Sequence, residues 1–169
     1  MKKYLLVCIL SLSLPLFAGE IDSLATKYEK DPSAIPKNIK ATDKILRIGF
    51  ERTSCDGSCK SYYLSITSDG DVKYEGYEGV KLKGKRYGTI LYNADLERTI
   101  EYLASIKFLE MPFEFGAICL DCASTYLMAE STNGIKLVAL NDDKVVPLEA
   151  WVASQLIEHL LIQVQWEKK

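Results

Sequence analysis

The chain has little of what acid–base catalysis needs, because His159 is its only histidine in 169 residues. His159 stands in an apolar helical pattern with Leu156 and Leu160, where a histidine more often packs or lies at a rim than serves as a general base. No serine occupies a Gly-x-Ser-x-Gly elbow, and no phosphate-binding loop or dinucleotide fingerprint is present. These absences favour a non-enzymatic role over hydrolase chemistry.

Positive charge is not abundant either, and long apolar runs are missing. The chain carries 21 Lys and Arg against 23 Asp and Glu, a formal net charge of −2. Without a basic cluster that could follow a phosphate backbone, nucleic acid is not expected as a partner. Beyond residue 18 no stretch approaches the length of a membrane-spanning helix, so we expect no membrane span in the mature chain.

The one longer apolar run lies at the start, in MKKYLLVCILSLSLPLFA. Lys2 and Lys3 supply a positive start, residues 4–14 an apolar run too short to span a bilayer, and residues 15–18 an exit that ends in a small residue. This pattern predicts a signal peptide over residues 1–18. We therefore expect an exported protein, periplasmic or secreted.

Cysteine is sparse, and its number and spacing are informative. Cys8 lies within the predicted signal peptide, which leaves Cys55, Cys59, Cys119 and Cys122. An even number of cysteines in an exported chain favours disulfides. The sequence DGS between the first two cysteines favours a tight turn, which brings two sulfurs within bonding reach. We expect one bridge within each pair, while bridges across the pairs remain an open alternative.

Two other uses of the same cysteines are possible. The sequence CLDC (119–122) is a Cys-x-x-Cys motif, which is redox-active when its first cysteine begins a helix. Here a strand is predicted after Cys122, and Asp121 would raise the pKa of a neighbouring thiol. All four cysteines together could also bind zinc as thiolates. Redox or metal handling is therefore the alternative function, and the leading interpretation has no cofactor.

The rest of the chain predicts an α+β fold. Residues 19–43 are polar and interrupted by Pro32 and Pro36, which predicts a tether without a core. Residues 44–166 predict a single domain of order β-β-β-β-α-β-β-α, with two helices packed on one face of an antiparallel sheet of hairpins. Alternating apolar residues predict the strands, and apolar residues at helical spacing predict helices over 93–108 and 147–166.

Two tyrosines suggest a binding surface. Alternation along the second and third predicted strands places Tyr63 and Tyr77 on the face opposite Leu64 and Val72. Aromatic side chains exposed on such a face would suit a binding partner. Tyrosine is also simply a good strand residue, which is the plainer explanation. We treat Tyr63 and Tyr77 as a possible binding face.

The stretch RTSCDGSCKSYYLSITSDGDVKYEG resembles a bacterial family known as domain of unknown function 6438. The family pattern is Cys-x-Gly-x-Cys-Pro-x-Tyr, followed by a strand, an Asp-Gly turn and a second strand. The matching positions here are Cys55, Gly57, Cys59, Tyr62, Asp69 and Gly70. Lys60 stands where the family usually has proline. The resemblance covers about residues 44–160, and it implies a fold unit without implying an activity.

Together these observations predict an exported α+β domain stabilised by disulfides. A non-enzymatic binding or envelope-interaction role is the leading hypothesis. The expected partner is a protein or a small-molecule ligand of unknown identity.

Overall fold

The computed structural model describes residues 20–55, 57–115, 123–141 and 146–168. The helices are α1 (Glu20–Lys30), α2 (Asn93–Ser105) and α3 (Leu148–Leu160). The strands are β1 (Ile45–Arg52), β2 (Ser61–Thr67), β3 (Asp71–Glu78), β4 (Gly84–Ile90), β5 (Glu114–Phe115), β6 (Ser124–Ser131), β7 (Gly134–Asn141) and β8 (Val164–Trp166). Single 3₁₀ turns occupy Pro32–Ala34, Phe108–Glu110 and Leu161–Gln163.

The eight strands of the described ranges form one sheet, in the order β5-β7-β6-β1-β2-β3-β4-β8. Every neighbouring pair is antiparallel except β5 and β7, which run parallel. The β2–β3 hairpin turns at Asp69-Gly70, as the alternation on either side of this dipeptide predicts. The predicted α+β class and the mostly antiparallel sheet are therefore confirmed.

One face of the sheet packs against α2 and α3. Ile48 and Phe50 on β1 point to this side, where they join Leu103 of α2 and Ile157 of α3 in one buried cluster. All four side chains have no exposed surface. Their burial explains why α2 and α3 are detectable as helices with one apolar face, since each must cover the same sheet surface.

The opposite face is covered by α1. Ile21 and Ala25 are fully buried, and Tyr28 is almost so. A Cβ placed on Gly49 of β1 would lie 2.9 Å from Cδ1 of Ile21, so the missing side chain leaves the room that this helix occupies. The carboxylate of Glu51 accepts hydrogen bonds from the first backbone N–H groups of α1, at 2.9 Å from Ile21 N. This contact caps the start of the helix.

The prediction of a tether over residues 19–43 is therefore wrong for the described part of that segment. Residues 20–30 form a helix that belongs to the core, because its apolar side chains cover a sheet face that would otherwise be open to water. The described residues form three α-helices on two faces of the sheet, instead of the predicted two helices on one face. Packed residues therefore occur from Ile21 onward in the described part of the chain, ahead of the boundary predicted at residue 44.

The predicted element order also missed two short strands. The last helix ends at Leu160, and after one 3₁₀ turn the chain continues as β8, which pairs with β4. The apolar residues of 147–166 continue at helical spacing, so the change of backbone is not visible locally. The two residues of β5 are too few to show a period. Among the described residues, no helix is both long and apolar enough to cross a membrane.

Candidate ligand-binding pocket

The first cysteine pair lies at disulfide distance. The sulfur atoms of Cys55 and Cys59 are 1.99 Å apart and their Cα atoms 5.7 Å apart, in the turn between β1 and β2. Cys119 and Cys122 lie outside the described residues, so the structure does not address their pairing. Within the described ranges, no cluster of three or more His, Cys, Asp or Glu side chains could hold a metal ion.

The predicted tyrosine face is not free. Tyr63 is buried, with 1% of its surface exposed, and it lies in the cluster formed with Ile21 and Ala25 of α1. Tyr77 is partly buried against the same cluster. The expectation that these two side chains are exposed is wrong for Tyr63, because α1 covers the face to which they point. The alternation along β2 and β3 predicted the face of the sheet to which Tyr63 and Tyr77 point, but it did not predict that α1 packs on this face.

This covered face holds tyrosines that resist ionisation. Burial, followed by the charges of Glu29 and Asp22, raises the pKa of Tyr126 to about 12. Burial raises the pKa of Tyr77 as well. On the other face of the sheet, burial raises the pKa of Tyr62, whose hydroxyl also donates a hydrogen bond to Glu158. Each phenol is therefore held in its neutral form well into the alkaline range.

We expect stability to fall as the pH rises above about 10, the ordinary pKa of tyrosine. Unfolded tyrosines release their protons there, whereas the folded pKa of Tyr126 is about 12, so alkali favours the unfolded chain. Phenolate absorbance and circular dichroism should show a late ionisation step that coincides with loss of structure. Tyr126→Phe should make the alkaline fall in stability shallower. If all nine tyrosines that follow residue 18 ionise while the fold is intact, the burial of Tyr126 is wrong.

A concave site lies on the α3 side of the sheet. It is a cleft of about 440 Å³, between the first half of α3 and the ends of three adjacent strands. The strands contribute Arg52, Thr125 and Asn141, and the helix contributes Leu148, Trp151 and Ser154. The volume is within the range of small-molecule sites.

The pairing of the strands places the polar groups of this cleft side by side. Arg52, the last residue of β1, is directly opposite Thr125 on β6, and Thr125 is opposite Leu140 on β7. Arg52 and Thr125 continue the inward-facing positions of Phe50 and Leu127 along their strands. The inward-facing side chains of β1 and β6 are therefore apolar in the core, at Phe50 and Leu127, and polar at the cleft, at Arg52 and Thr125.

Both polar side chains have an atom without a partner. Nε of Arg52 and Oγ1 of Thr125 are buried, and neither makes a hydrogen bond in the part of the chain that the structure describes. Only 4% of Thr125 is exposed. A buried polar atom without a partner costs about 1–3 kcal/mol, so such atoms in a cleft are natural points of attachment for a ligand.

Neighbouring groups fix the remaining polar atoms of the cleft. The hydroxyl of Ser154 donates to the carbonyl oxygen of Trp151 at 2.7 Å. The side-chain amide of Asn141 donates to the carboxylate of Glu114 at 3.2 Å. Trp151 is half exposed at the rim, with 52% of its surface accessible. The cleft thus combines a rigid polar end with a large aromatic side chain.

The guanidinium of Arg52 is held close to the core. Its Cζ lies 5.6 Å from the ring centroid of Phe50, a cation–π contact. Nearby, the hydroxyl of Tyr62 donates to the carboxylate of Glu158, and Arg52 lowers the pKa of Tyr62 against the larger effect of burial. The positive charge therefore lies at the inner end of the cleft, among aromatic rings.

The sequence interpretation did not single out Arg52, Thr125 or Trp151. One signal was available: Arg52 stands two residues after Phe50, so the alternation of β1 places a charged side chain at an inward position. Such a residue needs either a partner or a cleft. Thr125 carried no comparable signal, because only the β1–β6 register brings it next to Arg52.

No curated protein matches the chain. A family model does match, over residues 46–161, from the second residue of β1 to the first residue after α3. This range includes every strand residue and helix residue that lines the cleft. The chain belongs to the family described as a domain of unknown function, DUF6438.

Proposed function

We propose that this protein is an exported, non-enzymatic binding domain and that the cleft beside α3 holds a small-molecule ligand. The observation that carries the proposal is that two residues lining a cleft of about 440 Å³, Arg52 and Thr125, each keep a buried polar atom without a partner, Nε and Oγ1. A ligand that supplies hydrogen-bond partners to these atoms removes the free-energy cost of leaving them unpaired.

The composition of the wall supports binding over catalysis. Among the described residues, the cleft is lined by no histidine, cysteine or carboxylate, and Ser154 donates its proton to a backbone carbonyl. A nucleophile would need an adjacent base to become reactive. Arg52, Thr125 and Trp151 are instead groups that orient a ligand and cover it.

Export is supported by the N-terminal pattern and by the cysteines. Residues 1–18 have the charged start, apolar run and small exit residue of a signal peptide. Cys55 and Cys59 at disulfide distance suit an oxidising compartment. The bridge also braces the turn that begins just after Arg52, and so it supports the inner end of the cleft.

Nuclear magnetic resonance on ¹⁵N-labelled protein tests the binding proposal directly. The chain has two tryptophans, Trp151 at the rim of the cleft and Trp166 on β8, away from the cleft and against Tyr74. Small aromatic and aliphatic compounds, tested singly, should shift the indole N–H signal of Trp151 saturably and leave that of Trp166 unchanged. The proposal fails if no compound moves the Trp151 signal, or if both indole signals move together.

A thiol–disulfide or metal-handling role is the second candidate, favoured by the position of the bridge. Cys55 and Cys59 lie in a turn whose residues Gly57 and Ser58 are exposed. Cys55 and Cys59 are themselves partly exposed, and accessible disulfides are more easily reduced than buried ones, so this pair could exchange with a thiol in solution.

The intact mass of protein from the periplasm, after alkylation without reductant, separates the two candidates. We expect a chain that begins after residue 18, carries no alkyl label and has lost four hydrogens, which corresponds to two disulfides. Peptide mapping should then recover Cys55 linked to Cys59. Labelled cysteines, or a metal retained in the native spectrum, would favour the redox or metal role. An uncleaved N-terminus would contradict export.

A further inference from the structure

We infer that the ligand of this cleft carries a single carboxylate on an apolar body. The carboxylate would be bound by Arg52 and Thr125 at the inner end, and the apolar body would lie along α3 beneath Trp151. This inference rests on the proposed function and adds the chemical class of the ligand.

The inner end has the donors that a carboxylate requires. Arg52 presents N–H groups in a planar fork that matches two carboxylate oxygens, and its Nε has no hydrogen-bond partner among the described residues. The hydroxyl of Thr125, opposite Arg52 across the β1–β6 pair, is a further free donor. Strand pairing fixes the backbone of both residues, and the contact with the Phe50 ring holds the guanidinium of Arg52, so ordering these groups costs binding little.

The start of α3 adds partial positive charge to the same cleft. Pro147 precedes the helix and has no side-chain acceptor that could satisfy the first N–H groups. The first hydrogen bond of the helix is donated by Trp151 to the carbonyl of Pro147, so the N–H groups before Trp151 lie outside the helical ladder. Leu148, in this first turn, lines the cleft. An anion is stabilised at such a helix end.

The charges around the cleft favour a ligand with one negative charge over a ligand with two. Arg52 is the only charged side chain among the described lining residues. Two carboxylates lie behind the wall: Glu158, which accepts from Tyr62, and Glu114, which accepts from Asn141. A monoanion balances Arg52, whereas a second negative charge would be desolvated without a cation to balance it. This separates a carboxylate from a phosphate or phosphonate dianion.

The outer part of the cleft suits an apolar body. Leu140, Val146 and Leu148 contribute aliphatic surface, and Trp151 adds an aromatic face at the rim. Half of Trp151 is exposed in the structure, so a ligand that packs against the indole gains apolar burial. The cleft is therefore polar at its inner end and apolar toward the opening.

Four probes of one size test the inference: benzoate, benzyl alcohol, benzylamine and phenylphosphonate, the last at a pH where it carries two negative charges. Each is titrated while the indole N–H signals of Trp151 and Trp166 are followed. We expect benzoate to bind at least about tenfold more tightly than benzyl alcohol, as one charge-assisted hydrogen bond implies. Phenylphosphonate should bind more weakly than benzoate, and benzylamine should not saturate.

Three variants assign the effect to residues. Arg52→Met should weaken benzoate at least about tenfold and leave benzyl alcohol unchanged. Thr125→Val, which keeps the shape of threonine, should weaken benzoate a few-fold, and it serves as the main variant should Arg52→Met fail to fold. Arg86→Met is the matched control, because Arg86 on β4 also has a buried Nε without a partner but does not line the cleft.

The outcomes separate the two proposals. If all four probes shift Trp151 with equal affinity, or if benzoate binding survives both cleft variants, the carboxylate inference fails while small-molecule binding stands. If phenylphosphonate binds best, the ligand class is wrong. If no probe or other small compound shifts Trp151 selectively, both the inference and the proposed function fail. Selective loss of benzoate binding in the cleft variants, and not in Arg86→Met, supports both.

Discussion

Replacing Ile21 with Asp is expected to lower the free energy of unfolding by about 4 kcal/mol and to release α1 from the sheet. Ile21 is fully buried, and the substitution both removes its apolar burial and places a carboxylate in an apolar cluster. The new charge would also lie close to Glu51, which accepts the N–H of residue 21. Two carboxylates in this position repel each other, so local adjustment cannot recover the loss.

Urea denaturation followed by circular dichroism measures the effect, with Ser23→Asp as the matched control. Ser23 is an exposed residue of the same helix, so its replacement introduces the same charge without burying it. The control should change stability by less than about 0.5 kcal/mol. Release of α1 should also expose Tyr63 and increase binding of an apolar dye. An Ile21→Asp protein as stable as the control would show that α1 does not dock on the sheet.

Gly76→Ala is expected to destabilise the fold by about 3 kcal/mol, although alanine is normally the better strand residue. A Cβ on Gly76 of β3 would lie 1.9 Å from the carbonyl oxygen of Leu82, in the loop between β3 and β4. The hydroxyl of Tyr74 donates to that same carbonyl at 3.2 Å, and the Cβ would lie 2.9 Å from this hydroxyl. The obstacle is backbone, so the loop must move and lose this hydrogen bond.

Gly84→Ala, at the start of β4, provides the comparison for this prediction. Nothing lies within 4 Å of a Cβ placed on Gly84, but its φ is +73°. Its replacement should therefore cost only the backbone strain, about 1 kcal/mol. Equilibrium denaturation of both variants gives the two values. Equal losses, or a more stable Gly76→Ala protein, would mean that the loop does not lie over β3 as described.

Local patterns predicted the elements whose evidence is contained within one segment. The alternation in β1, β2 and β3 has the two-residue period of a half-buried strand, and Asp69-Gly70 is a turn signal that needs no distant partner. The apolar stripe of α2 likewise reports that one face is buried. For these reasons the fold class and the hairpins followed from the sequence.

The elements that were missed depend on distant partners. The segment of α1 is short and polar on average, and only the surface formed by β1, β6 and β7 gives its three buried residues a place to pack. The strand β8 forms because the edge of β4 is available to pair with it. The spacing of apolar residues within one segment carries no information about the sheet face on which α1 packs or about the edge of β4 that pairs with β8.

The sequence by itself determined the class of fold, the β-hairpins, the charged and apolar pattern of residues 1–18 and the shortage of histidine, because each is a property of composition or of neighbouring residues. Only the tertiary structure decided that Tyr63 is covered and that Arg52 meets Thr125 at the inner end of a cleft. Both results depend on strand register and on the packing of helices, which join residues far apart in the chain, and no local pattern records them.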